Sequence, residues 1–273
     1  MHREWLRYEG TPQRELYRVL RERFLHRHAV ESGWVVDLGT GPGRFLPSIG
    51  RPGSRRVALD ASREMLELVP AVWNASGSSE PLPGRILGLA QSLPLCRGRW
   101  SEVVALGNTL GFAGLQADRV LDDAEELVAP GGSLLLEIAP APGERSRYLA
   151  RLPPTAVARL FLSPVRAILQ RMDREGFREE PPRHRTPDTF RRFDAGDLHD
   201  RLRSTGWEVV ETVAVAPSLG ADAARIEAVR RDPKAWTRLL ELEEEVGRRS
   251  ERWPGAAAVL LAARRPSSMR MIK

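Results

Sequence analysis

Short apolar runs alternate with amphipathic segments along most of the chain. Apolar residues recur at helical spacing from Leu16 to Phe24, which predicts a helix over 12–30 that begins at Thr11-Pro12. The run from Trp34 to Leu38 ends in glycines, as a strand buried on both faces does. Similar patterns predict further strands over 57–60, 85–89, 102–106, 133–138, 207–215 and 256–263. They predict further helices over 63–70, 118–129, 194–206, 221–231 and 234–250.

Strands and helices alternate through the first 140 residues, which predicts βαβ units and a parallel sheet. The segment 140–187 interrupts this alternation with eight prolines. We interpret it as an insertion over the sheet and favour a lid over a decoration. We interpret the segment 221–250 as a helical insertion in the C-terminal part of the sheet, and the simpler alternative is a surface helical hairpin.

Composition places the chain among ordinary globular proteins. Its 273 residues can bury a sizeable core without disulfides or metals. Cys96 is the single cysteine, so an internal disulfide is excluded. The apolar stretch 255–263 is far shorter than the roughly 20 residues of a spanning helix. The charged N-terminus is unlike a secretory signal, and we expect a soluble cytoplasmic protein.

The net charge of +6 could indicate a nucleic-acid partner. However, only Lys234 and Lys273 are lysines among 42 basic residues, so we interpret the arginine excess mainly as a genomic bias. The surplus lies in residues 141–193, which hold 12 arginines and 6 acidic residues. We expect an anionic partner, if there is one, to bind there.

A glycine cluster follows the first strand, in the sequence Asp37-Leu38-Gly39-Thr40-Gly41-Pro42-Gly43. Glycines allow a sharp turn and let a ligand approach the backbone. A helix expected behind the turn would offer free N–H groups to an anion. Asp60 ends the next strand, 17 residues after Gly43, where a carboxylate can accept ribose hydroxyls. Alone, the glycines could form a simple turn and Asp60 could be a helix cap.

The spacing differs from that of dinucleotide-binding proteins, because Arg44 stands where G-x-G-x-x-G requires its third glycine. The motif instead resembles acid-x-G-x-G-x-G of class I S-adenosylmethionine-dependent methyltransferases. The resemblance runs from residue 34 to about 139, and more loosely to 264. Its other landmarks are Asp60, Leu93-Pro94-Leu95, Pro130-Gly131-Gly132, Arg192-Phe193-Asp194 and Gly206-Trp207.

This resemblance implies a doubly wound Rossmann-like α/β fold with a seven-stranded sheet, mostly parallel with its last strand antiparallel, plus helical insertions. It implies S-adenosylmethionine as the cofactor. The residues that would hold the methionine moiety are Asp37, Gly39, Thr40, Gly41 and Gly43. Those that would contact the ribose and adenine are Asp60, Ala61, Met65, Ala90 and Gln91. Those that would line the methyl donor are Leu106, Gly107 and Asn108.

Two features of this assignment depart from the family or stay open. Gly88-Leu89-Ala90-Gln91 carries no acid where the family often has one, and backbone N–H contact and the Gln91 amide would have to replace it. Asn108 could also be only a turn residue.

Methyl transfer from a sulfonium needs mainly proximity and alignment. A general base is required only if the acceptor holds a proton at neutral pH. His184, in the arginine-rich insertion, is the candidate catalytic residue, with Glu137 and Tyr148 as alternatives. A surface histidine is the simpler interpretation of His184. No metal site is expected.

Sequence motifs that this chain lacks limit the classes of methyl acceptor that we expect. Gly107-Asn108-Thr109-Leu110-Gly111-Phe112 lacks the Asn/Asp-Pro-Pro-aromatic element of amino-methylating enzymes that act on nucleic-acid bases. Cys96 lies outside the positions of a carbon-5 pyrimidine nucleophile, and is either a buried small residue or a loop thiol. We therefore expect a small-molecule acceptor and no membrane partner.

Three rivals remain: an RNA or protein methyltransferase that docks through the basic insertion, an inactive cofactor-binding subunit, and a dinucleotide oxidoreductase. The organisation that we predict is a helical cap over 1–32, a cofactor-binding half over 33–139, a substrate lid over 140–193, the rest of the sheet over 194–264 and a tail over 265–273.

Overall fold

The computed structural model describes residues 11–140, 191–215, 223–250, 253–254 and 256–267. Its strands are β1 (Trp34–Leu38), β2 (Arg55–Asp60), β3 (Gly84–Leu87), β4 (Trp100–Ala105), β5 (Val128–Ile138), β6 (Glu208–Val215) and β7 (Ala258–Arg264). They form one sheet in the order β3-β2-β1-β4-β5-β7-β6. The strands β1 to β5 pair in parallel, and β7 lies antiparallel between β5 and β6. The predicted doubly wound sheet with an antiparallel last strand is confirmed.

Helices cover both faces of this sheet. They are α1 (Pro12–His28), α2 (Arg63–Ala75), α3 (Thr109–Phe112), α4 (Ala117–Leu127), α5 (Ala195–Ser204), α6 (Ala223–Arg230) and α7 (Pro233–Gly247). Apolar residues of α1, α2, α6 and α7 pack on one face, and those of α4 and α5 on the other. None of the described helices combines the length and the apolar composition that crossing a bilayer requires.

Side-chain caps explain where several helices begin. The Thr11 hydroxyl accepts a hydrogen bond from the Arg14 amide at the start of α1, and the Ser62 hydroxyl accepts one from the Met65 amide at the start of α2. Asp194 and Asp232 cap α5 and α7 in the same way. Each cap satisfies N–H groups that have no partner inside the helix.

The structure moves some predicted boundaries. The helix predicted over 63–70 continues through Pro70 to Ala75. The strand β5 begins at Val128 and includes Pro130-Gly131-Gly132, which lies between the helix predicted over 118–129 and the strand predicted over 133–138. Opposite this segment the register with β4 shifts between Trp100 and Glu102. The chain therefore crosses the glycines as an irregular strand. The predicted lid lies outside the described residues, apart from its ends.

The prediction of a helix behind the glycine turn was wrong. The connection from β1 to β2 holds only a 3-10 helix over Leu46–Ser48. Proline at position 47 lacks the N–H that a continuing helix needs and disfavours helical backbone at the residue before it. Gly50, Pro52 and Gly53 follow and would break any longer helix.

A buried arginine replaces the hydrogen bonds that a helix would have made. The Arg56 guanidinium, on β2, donates to the carbonyls of Ile49, Gly50, Arg51 and Ser54 at 2.8–3.2 Å. From the other side, the buried Glu102 carboxylate accepts the amides of Val30 at 2.9 Å and Gly50 at 3.1 Å. These two side chains, together with backbone hydrogen bonds such as that from the Arg51 amide to the Val30 carbonyl, satisfy the polar backbone of the irregular connection.

We expect Arg56→Lys to lower the free energy of unfolding by about 2–4 kcal/mol, because an ammonium cannot reach several carbonyls and leaves buried acceptors unpaired. Urea titration followed by circular dichroism measures this change. The neighbouring Arg55 is exposed, so Arg55→Lys is the matched control and should change stability by less than about 0.5 kcal/mol. Equal stabilities for the two variants would contradict this account of the connection.

Candidate functional site

The carboxyl ends of five parallel strands meet at one edge of the sheet. The chain order reverses between β1 and β4, which are neighbours there. In doubly wound sheets, ligands bind in the crevice at such a reversal. The predicted cofactor residues end or follow β1, β2, β3 and β4, so the structure brings them to this edge. His184 and Tyr148 lie outside the described residues.

The glycine turn leaves open space at its middle residue. Gly39, Gly41 and Gly43 all have positive φ values, of 68°, 55° and 84°. A Cβ on Gly39 would lie 2.4 Å from the Thr109 hydroxyl, and one on Gly43 would lie 2.6 Å from Leu46. A Cβ on Gly41 would meet nothing within 4 Å. Packing therefore requires the outer two glycines, whereas Gly41 is where a ligand can approach the backbone.

Asp37 is a buried acid at the end of β1. It is 3% exposed, and the Thr40 hydroxyl donates to its Oδ2 at 2.8 Å. Burial raises the pKa of Asp37 to about 7; the charges of Asp60 and Glu102 act in the same direction, while the Thr40 hydrogen bond opposes them. A buried carboxyl with one hydrogen bond and a raised pKa is suited to pairing with a cation.

Asp60 joins the ends of β1 and β2. Its Oδ2 accepts the Gly41 amide at 2.7 Å, and its Oδ1 accepts the Ser62 amide at 2.9 Å. Each carboxylate oxygen can accept a further hydrogen bond. Asp60 can therefore hold the glycine turn and still accept two hydroxyl groups of a ribose.

The adenine side of the predicted site is more exposed. Ala61 is exposed and Met65 is half-buried in the first turn of α2. Ala90 and Gln91 lie in a tight turn that the Ser92 amide closes on the Leu89 carbonyl at 3.0 Å. This turn places the Gln91 side chain, and no acid, beyond the end of β3.

The turn after β4 closes the other side of the crevice. Leu106 is buried, and both Gly107 and Asn108 have a φ of 65°. The Thr109 hydroxyl lies 2.8 Å from the Leu106 carbonyl and 2.9 Å from the Leu38 carbonyl. Thr109 thus ties this turn to the end of β1. Sequence reasoning missed it, because a threonine after a turn carries no signal of a contact 71 positions away.

Glu137 does not fit the role of a general base. Both of its oxygens are bound by the Arg21 guanidinium, at 2.7 and 2.8 Å, and it is 1% exposed. An arginine pair holds a carboxylate as an anion and blocks its approach to a substrate.

Other candidate groups lie elsewhere. Cys96 is an exposed loop thiol. The side chain of His199, on α5, is only 20% exposed and lies beside Trp253. Burial, assisted by the charge of Arg203, lowers the pKa of His199. Among the described residues, no three His, Cys, Asp or Glu side chains are grouped so that they could hold a metal ion.

Several solved structures resemble this architecture at low identity. One is a chain of the complex between the Haloferax volcanii Trm112 methyltransferase activator and a proposed methyltransferase, with a TM-score of 0.56 and 18% identity over 94% of this chain and 92% of that chain. Another is the Streptomyces coelicolor geranyl diphosphate C-methyltransferase with Mg²⁺, geranyl diphosphate and S-adenosylhomocysteine. Its TM-score is 0.52, and it is 13% identical over 90% of this chain and 78% of that chain. A third is the [4+2]-cyclase SpnF, with a TM-score of 0.53 and 16% identity over 91% of this chain and 81% of that chain.

The chain has the class I methyltransferase fold. No family model matches the sequence, and no curated protein matches it at a significant level. At these identities the likeness concerns the methyltransferase fold alone. The chemistry must therefore be argued from the residues of the site.

We expect Gly41→Ala to abolish or strongly weaken binding of S-adenosylhomocysteine, because the new methyl group occupies the open space beside the turn. The cost in stability should be only about 1 kcal/mol, from the left-handed backbone. Isothermal titration calorimetry measures binding, and thermal unfolding measures stability.

Gly98→Ala is the matched control. Gly98 has a similar φ of 64°, and a Cβ on it would also meet nothing within 4 Å, but it precedes β4 at the opposite edge of the sheet. It should lose similar stability and keep full affinity. A Gly41→Ala protein that binds the ligand as well as Gly98→Ala does would exclude the turn as the binding surface.

Proposed function

We propose that this protein is an S-adenosylmethionine-dependent methyltransferase that acts on a small molecule. The observation that supports this most is the open backbone at Gly41, with the Asp37 and Asp60 carboxylates on the two adjacent strands. A methionine moiety carries an ammonium group that suits buried Asp37, and a ribose carries two hydroxyls that suit Asp60. The residues present therefore fit this cofactor.

Loss of the helix behind the glycine turn favours the same cofactor over a dinucleotide. A pyrophosphate bound at such a turn relies on the free N–H groups and the dipole of the following helix. Here that helix is missing, and two carboxylates stand at the turn instead. The site is therefore better suited to a ligand with a cationic group than to a pyrophosphate.

The role that we assign to the chain is to bind and align. The cofactor supplies an activated methyl group on sulfonium sulfur, so proximity and in-line geometry provide most of the acceleration. Asp37 and Asp60 would fix the two ends of the donor. Leu106, Gly107 and Asn108 would form the wall beside the methyl group, where the acceptor enters.

Two observations favour a small acceptor. The turn after β4 reads Gly107-Asn108-Thr109 and lacks the Pro-Pro-aromatic element used on nucleic-acid bases. The similar structures include one protein described with geranyl diphosphate and another described as a cyclase. His184 stays the candidate base for an acceptor that must lose a proton.

The first test is thermal unfolding with S-adenosylhomocysteine. At about 100 times its dissociation constant, the ligand should add roughly 2.7 kcal/mol and raise the Tm by several degrees. Asp60→Asn should reduce this shift, because one ribose hydroxyl loses its acceptor. Asp232→Asn alters an aspartate that likewise accepts two backbone amides, at the start of α7, and should leave the shift unchanged. A shift with NADH instead would replace this proposal with an oxidoreductase.

The pKa of Asp37 gives the binding a pH dependence. Pairing with the ligand's ammonium favours ionised Asp37, so its pKa, about 7 in the free protein, should fall in the complex. The affinity should then be highest above pH 7, and Kd should rise by up to about tenfold per pH unit below it. In that lower range binding should release a proton. Calorimetry in buffers of different ionisation enthalpy measures that proton.

Asp37→Asn should remove both the pH dependence and the proton release. Burial also raises the pKa of Glu102 to about 7, so Glu102→Gln is the control and should keep both effects. A wild-type Kd that stays constant from pH 6 to 8 would show that Asp37 does not pair with the ligand.

A further inference from the structure

A buried ion pair joins α1 to the middle of the sheet. Arg21 is 4% exposed and Glu137, on β5, is 1% exposed. The Arg21 Nε and Nη2 atoms donate to the two Glu137 oxygens at 2.8 and 2.7 Å, and Nη1 donates to the Tyr17 carbonyl at 3.0 Å. Replacing such a pair with apolar residues is often neutral or stabilising. Stability alone therefore gives no reason for this pair.

The pair also reaches the candidate site. Glu137 Oε2 accepts the Gly107 amide at 3.1 Å. Gly107 is followed by Asn108, which among the described residues is the one non-glycine residue with a positive φ. A left-handed backbone outside glycine costs energy and persists only where the surroundings impose it. Glu137 on one side and the Thr109 hydroxyl on the other supply that constraint.

This constraint on the turn affects the side chain of Asn108. Its Oδ1 atom is buried, has no hydrogen-bond partner within the described parts of the chain and makes no cap on α3. A buried carbonyl oxygen without a donor costs free energy. The turn is therefore held in a conformation that leaves the side-chain oxygen of Asn108 unsatisfied by the part of the chain that the structure describes.

We propose that Arg21 and Glu137 are positioning residues, which hold the Gly107–Asn108 turn in the conformation that receives the S-adenosyl ligand. This inference rests on the proposed function. It makes α1 part of the binding machinery, because its guanidinium orients the carboxylate that fixes the turn. The pair acts through the Gly107 amide and touches neither the donor nor the acceptor of the methyl group.

Two double variants separate this role from a structural one. Arg21→Met with Glu137→Gln removes both buried charges and keeps an amide oxygen that can accept the Gly107 N–H. Arg21→Met with Glu137→Met removes the charges and that acceptor. The second variant should bind S-adenosylhomocysteine at least about tenfold more weakly than the first, the factor expected for one lost hydrogen bond. The first should bind more weakly than the wild type by about threefold or more, because no guanidinium orients the remaining amide oxygen. An affinity equal to that of the wild type would overturn the role of Arg21.

Hydrogen exchange supplies a readout that needs no ligand. The Gly107 amide should be protected in the wild type and in the glutamine variant, and should exchange faster in the double methionine variant. Arg18→Met with Glu22→Gln removes a half-exposed ion pair of the same helix, and should change neither exchange at Gly107 nor affinity.

The outcomes distinguish the two proposals. Equal affinity and equal exchange in both double variants, with a wild type that binds the ligand, would overturn the positioning role alone. A wild type that binds no S-adenosylhomocysteine would overturn the proposed function, and the positioning role with it. Faster exchange at Gly107 and the weakest binding where the acceptor is lost, with an intermediate affinity where the amide oxygen is kept without the guanidinium, supports the pair as a positioning device.

Discussion

Each of the three central strands carries a carboxylate that is removed from water, and the loops around the sheet are arranged to satisfy these three groups. Asp37 lies on β1, Glu102 on β4 and Glu137 on β5. Glu102 accepts two backbone amides, Glu137 is bound by Arg21, and Asp37 has the Thr40 hydroxyl. A buried charge without partners is too costly to keep. The paths of α1, the β1–β2 connection and the turn after β4 therefore depend on these acids.

The three buried carboxylates differ in whether a ligand could reach them. Glu102 faces backbone donors near the amino ends of the strands, and Glu137 is bound by the Arg21 guanidinium and by the Gly107 amide. Asp37 stands at the carboxyl edge, beside the one glycine of its turn that has free space around it. In the proposed function Asp37 therefore faces the ligand, whereas Glu137 acts on the site only through the Gly107 amide. The fold alone could not have made this distinction, since similar architectures carry both methyltransferase and cyclase descriptions.

Local patterns predicted the strands, most helix starts and the edge that holds the site. Thr11, Ser62 and Asp194 cap helices where their residue types indicate, because capping depends on neighbours in sequence. A helix was wrongly predicted in the β1–β2 connection, because a glycine turn after a strand is commonly followed by a helix. Pro47 and the glycines after it oppose that helix. The hydrogen-bond partners of Arg56 and Arg21 could not be predicted from the sequence, because they depend on which segments the tertiary structure brings together.

The helix α1 is held by residues that are distant in sequence. Arg23 and Arg27 pair with Glu244, and His28 contacts Glu211, at separations of 183 to 221 positions. Contacts of such long range form late in folding, because the intervening chain must first be brought together. During synthesis, α1 emerges well before β6 and α7 exist to receive it. We therefore expect this helix, which packs on one face of the sheet, to reach its final place only after β6 and α7 have been made.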